Sequence, residues 1–99
     1  MARFSVYLNP DNPGYLLDVQ ADIHGHFNTR VVVPLMPLDV APKPAAILNP
    51  LFDIDGVRHS MVTQYMAAMP AKTLKNIAFN ANDRHYDVVA ALDMLLQGF

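Results

Sequence analysis

The chain has 99 residues, 53% of them hydrophobic and 16% charged, so we expect one hydrophobic core and a single domain spanning residues 1–99. Its formal net charge is -2 at pH 7, and the lack of clustered Lys and Arg argues against direct binding to nucleic acid. It contains no cysteine, which excludes disulfides and thiolate metal sites and is typical of a cytoplasmic protein, and no apolar run is long enough for a membrane span.

Period-two patterning predicts two strands at the start of the chain. Apolar residues occupy every second position from Phe4 to Leu8, which predicts a half-buried strand. Positions 9–14 are rich in turn-forming residues. A second strand is predicted over Leu17–Ile23, with its apolar side chains on one face and polar residues such as Asp18 and Gln20 on the other. The short turn between the two strands predicts antiparallel pairing.

A third strand and a proline-rich connection are predicted next. Residues 24–28 have the composition of a loop, and the Val-rich run Arg30–Leu35 predicts a strand. Pro34 cannot donate a backbone hydrogen bond, so it indicates an edge, a bend or a bulge. Repeated prolines between positions 34 and 50 exclude a regular helix and favour an extended connection with one short helical turn.

The middle of the chain predicts a hairpin and two further short strands. Asp55-Gly56 supplies the positive φ angles of a two-residue type I′ turn, which predicts a β-hairpin at this point. Short strands are also predicted over Met61–Tyr65 and Leu74–Ile77, joined through Met69-Pro70.

The last segment changes to the period of a helix. Asn82 or Asp83 is expected to cap its N-terminus, and Gly98 lies where a helix normally stops. An apolar stripe is expected to pack on the sheet, and it comprises Val88, Leu92, Leu95 and Phe99. The opposite stripe comprises Tyr86, Ala90, Asp93 and Gln97. Because few polar residues interrupt this helix, we expect more than one of its sides to be covered, and hence an oligomer.

Motifs of enzyme chemistry are scarce. The four glycines are too dispersed to form a phosphate-binding loop. Asp22, His24 and His26 have the spacing of a metal site on a continuing strand, but the loop composition around them favours exposed histidines. Arg58 and His59 have the chemistry for acid and base roles in phosphodiester cleavage, although such residues beside a hairpin turn are more often solvated. No catalytic residue, metal ligand or cofactor site is predicted.

Four segments of the sequence resemble those of CcdB-type toxins. L-D-V-Q-A-D-I at 17–23 and T-R-V-V-V-P-L at 29–35 resemble the family's second and third strands. T-Q-Y-M-A-A-M-P at 63–70 is similar to its Met-Ala-Ser-Val-Pro region. The terminal helix matches the family pattern of apolar residues, one variable position, glycine and one large apolar residue. The resemblance covers essentially the whole chain, with these segments in the same order.

This resemblance implies a mainly β fold with one α element, namely an SH3-like, CcdB-type barrel of antiparallel strands with a small second sheet and one C-terminal helix. It also implies a homodimeric toxin that binds the A subunit of DNA gyrase and traps the enzyme on cleaved DNA. A cognate antitoxin with a disordered tail would neutralise the toxin. DNA would be contacted only indirectly, through the toxin–antitoxin complex, in transcription regulation and plasmid maintenance.

The gyrase-binding positions that the resemblance implies fall into two groups. Ile23 and His24 lie at the junction of a strand and a loop. On the helix the positions are Asp93, Leu96, Gln97, Gly98 and Phe99. In the best-known toxin of the family, isoleucine occupies the position of His24 and asparagine that of Asp93. The position of Gln97 carries a tryptophan that stacks on gyrase. Loss of an aromatic anchor at an interface costs on the order of 2–4 kcal/mol, so Gln97 is the departure with the largest expected effect.

Other interpretations of these residues and of the whole chain are open at this point. From pattern alone, Ile23 fits a core position as well as an interface, and Leu96 and Phe99 fit caps on the protein's own sheet. An endoribonuclease toxin of the Kid and MazF kind would use the same barrel architecture, but the acidic balance suits RNA poorly. A regulatory subunit that binds an antitoxin without being toxic is the third possibility.

Overall fold

A computed structural model describes residues 2–99 as a seven-stranded antiparallel sheet, curled into a half-barrel, and one α-helix. The elements are β1 (Ser5–Leu8), β2 (Tyr15–Asp18), β3 (Thr29–Pro37), β4 (Leu51–Ile54), β5 (Val57–Met61), β6 (Ala67–Pro70), β7 (Ile77–Asn80) and α1 (His85–Gln97). The strand order is β4-β5-β3-β2-β1-β7, and β6 branches from β3. The predicted mainly β fold with a terminal helix is confirmed. All the described strands belong to this one branched sheet, where the resemblance implied a small second sheet.

Strand β3 joins the two halves of the sheet. It pairs with β2 along one side, and on the other side with β6 through its first half and β5 through its last residues. Pro34 lies between these two partners, where its carbonyl accepts a hydrogen bond from Val62 N–H at 2.9 Å. Its missing donor is therefore tolerated. Residues 38–50 contain turns and no regular helix, and Asn49 N–H donates to Ala45 O across one helical turn, as predicted.

The hydrophobic core lies between the sheet and α1. The helix contributes Val88 and Ala91, which are fully buried, and the half-buried Leu92. The sheet side of this core includes Phe4, Val6, Leu17, Val33, Leu35 and Met61. Each fully buried Val or Leu side chain contributes roughly 1.5–3 kcal/mol, so this packing holds the helix on the sheet. Within residues 2–99, no helix is both long and apolar enough to cross a bilayer.

The predicted hairpin is confirmed. Asp55 and Gly56 have φ angles of 52° and 78°, and Ile54 pairs directly with Val57. A side chain at Gly56 would meet no atom within 4 Å, so only the positive φ opposes one. We therefore expect Gly56→Val to lower the free energy of unfolding by roughly 1–2 kcal/mol in urea denaturation. Asp55→Gly, at the neighbouring positive φ, should change it much less, and equal stability of both variants would contradict the turn.

The second predicted strand is wrong in its last part. β2 ends at Asp18, and Asp22–His24 forms a 3-10 helix instead of continuing the strand to Ile23. The physical reason is local, because the Asp18 carboxylate accepts the backbone N–H of Gln20 at 3.0 Å and turns the chain out of the ladder. Asp18 and Gln20 are also buried, where the alternation predicted a face opposite to the core.

Two later strands are also displaced from their predicted positions. Met61 ends β5, and the remainder of the predicted strand Met61–Tyr65 is a 3-10 helix over Thr63–Tyr65. Met69-Pro70 lies within β6 and is not a connection. The strand predicted over Leu74–Ile77 begins only at Ile77, because a 3-10 helix at Ala71–Thr73 precedes it.

The start of the helix differs from the predicted cap. A 3-10 helix at Asn82–Arg84 leads directly into α1, and neither Asn82 nor Asp83 caps it through a side chain. Arg84 instead donates from Nη2 to Leu51 O at 3.0 Å, and its guanidinium lies 4.2 Å from the centre of the Phe52 ring. Arg84 lies in the 3-10 helix that follows β7, so this side chain connects the segment after one edge strand to β4, the strand at the other end of the strand order.

Candidate protein-binding site

The end of α1 presents two large apolar side chains to solvent. Leu96 is 69% exposed and Phe99 is 81% exposed. Gly98 adopts the left-handed conformation, with a φ of 81°, and its N–H donates to Met94 O at 3.0 Å. This C-cap ends the helix before Phe99, because glycine accepts the left-handed conformation without strain. The prediction that Phe99 packs on the sheet is therefore wrong, and the buried stripe ends at the half-buried Leu95.

A polar pair lies beside these apolar side chains. Gln97 Nε2 donates to Asp93 Oδ1 at 3.3 Å, across one turn of the helix. Gln97 is exposed and Asp93 is half-buried. The long distance and the exposure make this a weak hydrogen bond that water or a partner's polar groups can replace. The predicted helix positions thus form one patch, with an apolar pair and a polar margin.

The other two predicted positions lie on the 3-10 helix between β2 and β3. Ile23 is 78% exposed, so the interpretation of Ile23 as a core residue does not hold. The ring of His24 stacks on Phe27 with centroids 5.2 Å apart, and His26 meets the same ring edge-on at 4.6 Å. Phe27 is itself exposed and was not among the predicted positions. Its signal in the sequence was an aromatic residue in an otherwise polar loop.

The two groups of positions occupy different elements. Ile23 and His24 are adjacent on one turn, and Asp93 and Gln97 are joined on the helix. The two groups are therefore carried by separate elements of the protomer, the 3-10 helix between β2 and β3 and the C-terminal end of α1.

The residues considered for metal binding and catalysis are engaged in other contacts. Asp22 Oδ1 accepts the backbone N–H of Arg3 at 2.8 Å, and in residues 2–99 no three metal-ligating side chains come together. Arg58 pairs with Asp53 at 3.0 Å on the surface. His59 is buried, with Nδ1 2.9 Å from Val57 O, so Arg58 and His59 do not share a site.

The chain was compared with known proteins. A model of the family described as CcdB protein matches residues 3–98. A search among curated proteins found no match. The family match spans the half-barrel, the loop with Ile23 and His24, and α1 through Gly98. This chain therefore belongs to the CcdB family, the toxins of toxin–antitoxin systems.

Proposed function

We propose that this toxin binds the A subunit of DNA gyrase and traps the enzyme on cleaved DNA. The observation that carries the proposal is the exposed pair Leu96 and Phe99 at the end of a helix whose other face is fixed by Val88 and Ala91. Burying a side chain of this size contributes roughly 1.5–3 kcal/mol. Gly98 ends the helix between Leu96 and Phe99. Both side chains are exposed, so they can insert into a partner while α1 stays folded.

The loop of Ile23 supplies a second contact in this proposal. Ile23 is the most exposed large aliphatic side chain of the described residues, and the stacked rings of His24 and Phe27 lie next to it. An apolar side chain flanked by aromatic rings is typical of an interface anchor. Two such patches favour binding to a large protein surface over binding to a small ligand.

Trapping requires no catalytic group on the toxin. A protein that binds the DNA-cleaved state of gyrase more tightly than the resting state raises the population of the cleaved state by that difference in affinity alone. The action we propose is thus binding rather than enzyme catalysis, in the cytoplasm where gyrase acts.

We propose that the toxin is a homodimer, because the 53% apolar composition leaves large hydrophobic side chains exposed on the sheet edge as well as on α1. Ile77 and Phe79 of β7 are examples, and β7 pairs on one side only. Light scattering at micromolar concentration should give a mass of two chains, about twice 11.0 kDa. A stable monomer at that concentration would refute the dimer.

The antitoxin partner follows from the family, and its detailed form is part of the proposal. We propose a cognate antitoxin with an acidic tail that is disordered until it binds, since such tails fold onto extended apolar surfaces. DNA would be reached only through this complex. Reconstitution with the product of the adjacent reading frame should restore the growth of cells that express the toxin.

Gln97 provides a prediction about affinity. Gln97→Trp places an aromatic ring beside Leu96 and Phe99, and an aromatic anchor in an interface contributes about 1–3 kcal/mol. We therefore expect the variant to bind gyrase about 5- to 150-fold more tightly, measured by titration of the purified A subunit. Tyr86→Trp, on the first turn of the same helix, is the control and should leave the affinity unchanged. Equal affinities of Gln97→Trp and wild type would show that position 97 lies outside the interface.

The proposed function is tested by a supercoiling assay with purified gyrase and relaxed plasmid. The toxin should inhibit supercoiling in proportion to its concentration. An RNA-cleavage assay with the same preparation gives the matched comparison, and cleavage of RNA without inhibition of gyrase would replace the proposed function by that of a ribonuclease.

A further inference from the structure

A buried carboxamide holds the loop between β2 and β3. The side chain of Gln20 accepts from Val31 N–H through Oε1 at 3.0 Å and donates from Nε2 to the carbonyl of His24 at 2.8 Å. One side chain therefore connects the start of β3 to the turn that carries the exposed Ile23. A carboxamide is suited to this, because it presents a donor and an acceptor on the same rigid plane.

Gln20 is itself held by a fully buried ion pair. Arg30 donates from Nε to Asp18 Oδ2 at 2.7 Å and from Nη2 to Asp18 Oδ1 at 3.0 Å, and both side chains are 0% exposed. Asp18 Oδ1 also accepts the backbone N–H of Gln20. The backbone at Gln20 is thus held by a carboxylate that is itself fixed in a bidentate pair within the fold.

The loop passes close to the same arginine. A Cβ on Gly25 would lie 3.8 Å from Arg30 Nη1, and 3.1 Å from the carbonyl of Asp22. Arg30 Nη1 is buried and has no acceptor among residues 2–99. A side chain at position 25 would make a tight contact with the carbonyl of Asp22, which the 3-10 turn could relieve only by a small shift. The only other side-chain hydrogen bond of this turn in the described chain is that of Asp22 with Arg3 N–H, and it is exposed to water.

We propose that Gln20 is a positioning residue, which orders the loop so that Ile23 and His24 are presented to the partner protein in one conformation. The inference rests on the proposed gyrase binding for its functional part. Preorganisation of a loop strengthens binding because the ordering entropy is then lost on folding and not on association. Partly buried hydrogen bonds, such as that from Gln20 Nε2 to the His24 carbonyl, are replaced by water less readily than exposed ones.

The test compares Gln20→Ala with Asn49→Ala. Asn49 is an equally buried carboxamide that fastens a different loop, since it donates to Met61 O and Gln64 Oε1 at 2.9 Å and accepts from Ala45 N–H at 3.0 Å. Both variants lose buried hydrogen bonds, so a general loss of stability affects both. Gln20→Met, which keeps the side-chain length, is the second variant for the case that Gln20→Ala does not fold.

Amide hydrogen exchange of folded protein gives the first measurement. The N–H groups of His24, Gly25 and Phe27 close the turns of this loop. In the Gln20 variant they should exchange about three- to tenfold faster than in wild type, while Asn49→Ala leaves them unchanged. Unchanged exchange in the Gln20 variant, or equal acceleration in Asn49→Ala, would overturn the proposal.

Affinity for the gyrase A subunit is the second measurement. It should fall about three- to tenfold for the Gln20 variant and remain at the wild-type value for Asn49→Ala. A loop that exchanges faster with unchanged affinity would overturn the positioning role. If the wild type itself does not bind gyrase, the proposed function fails, and the exchange experiment still decides whether Gln20 orders the loop.

Discussion

Replacing Leu96 and Phe99 together by alanine should remove gyrase binding and leave the fold intact. Truncation of anchor side chains at an interface costs roughly 2–4 kcal/mol, which corresponds to about a 30- to 1000-fold loss of affinity. Neither side chain belongs to the core, so we expect the free energy of unfolding to change by less than about 0.5 kcal/mol. Titration of the purified A subunit measures the first quantity, and urea denaturation the second.

Tyr86→Ala is the matched control for this double variant. Tyr86 is 88% exposed on the same helix but lies in its first turn, away from the proposed contact. The affinity of the Tyr86→Ala variant for gyrase should equal that of wild type. A folded Leu96→Ala/Phe99→Ala variant that binds as tightly as wild type would mean that the exposed end of α1 is not the gyrase contact.

Replacing Arg30 by methionine should destabilise the protein more than any surface change. The substitution leaves the Asp18 carboxylate buried without its cation, and breaking a buried pair in this way costs roughly 3–5 kcal/mol. The network that fastens Gln20 is lost with it. Urea denaturation at one fixed protein concentration, which is necessary for a proposed dimer, should show the loss as a lower midpoint with an unchanged slope.

Arg58→Met is the comparison for Arg30→Met. Arg58 forms an ion pair of similar length with Asp53, but the two side chains are 55% and 66% exposed. Exposed pairs contribute about 0–1 kcal/mol, so the control should lose at most that amount. Equal losses in the two variants would contradict the importance of the buried Asp18–Arg30 pair for the fold.

The elements predicted correctly from the sequence are those with local causes. Asp55-Gly56 forms its hairpin because two adjacent residues accept positive φ angles. The terminal helix follows from a period of 3.6 that buries Val88. The predicted strand Leu17–Ile23 ends at Asp18 because the Asp18 carboxylate accepts the backbone N–H of Gln20, and alternation alone cannot indicate that Asp18 is buried in an ion pair with Arg30, twelve positions later.

The same distinction applies to the candidate site. The resemblance placed Ile23, Leu96 and Phe99 at a binding surface, and the structure places all three in solvent. Periodicity instead predicted Phe99 on the sheet, because a helical stripe was extended across Gly98, where the helix ends. The role of Gln20 had no signal in the sequence, since its two partners are a backbone donor on β3 and a backbone acceptor in the loop.

Trapping of gyrase on cleaved DNA by this toxin is measured as the amount of linear plasmid released by detergent and protease from a gyrase reaction. Supercoiled plasmid, ATP and purified gyrase are incubated with increasing toxin. If the toxin traps gyrase, linear DNA should accumulate with wild-type toxin and remain at the toxin-free level with the Leu96→Ala/Phe99→Ala variant. No accumulation of linear DNA with folded wild-type toxin at any concentration would contradict trapping.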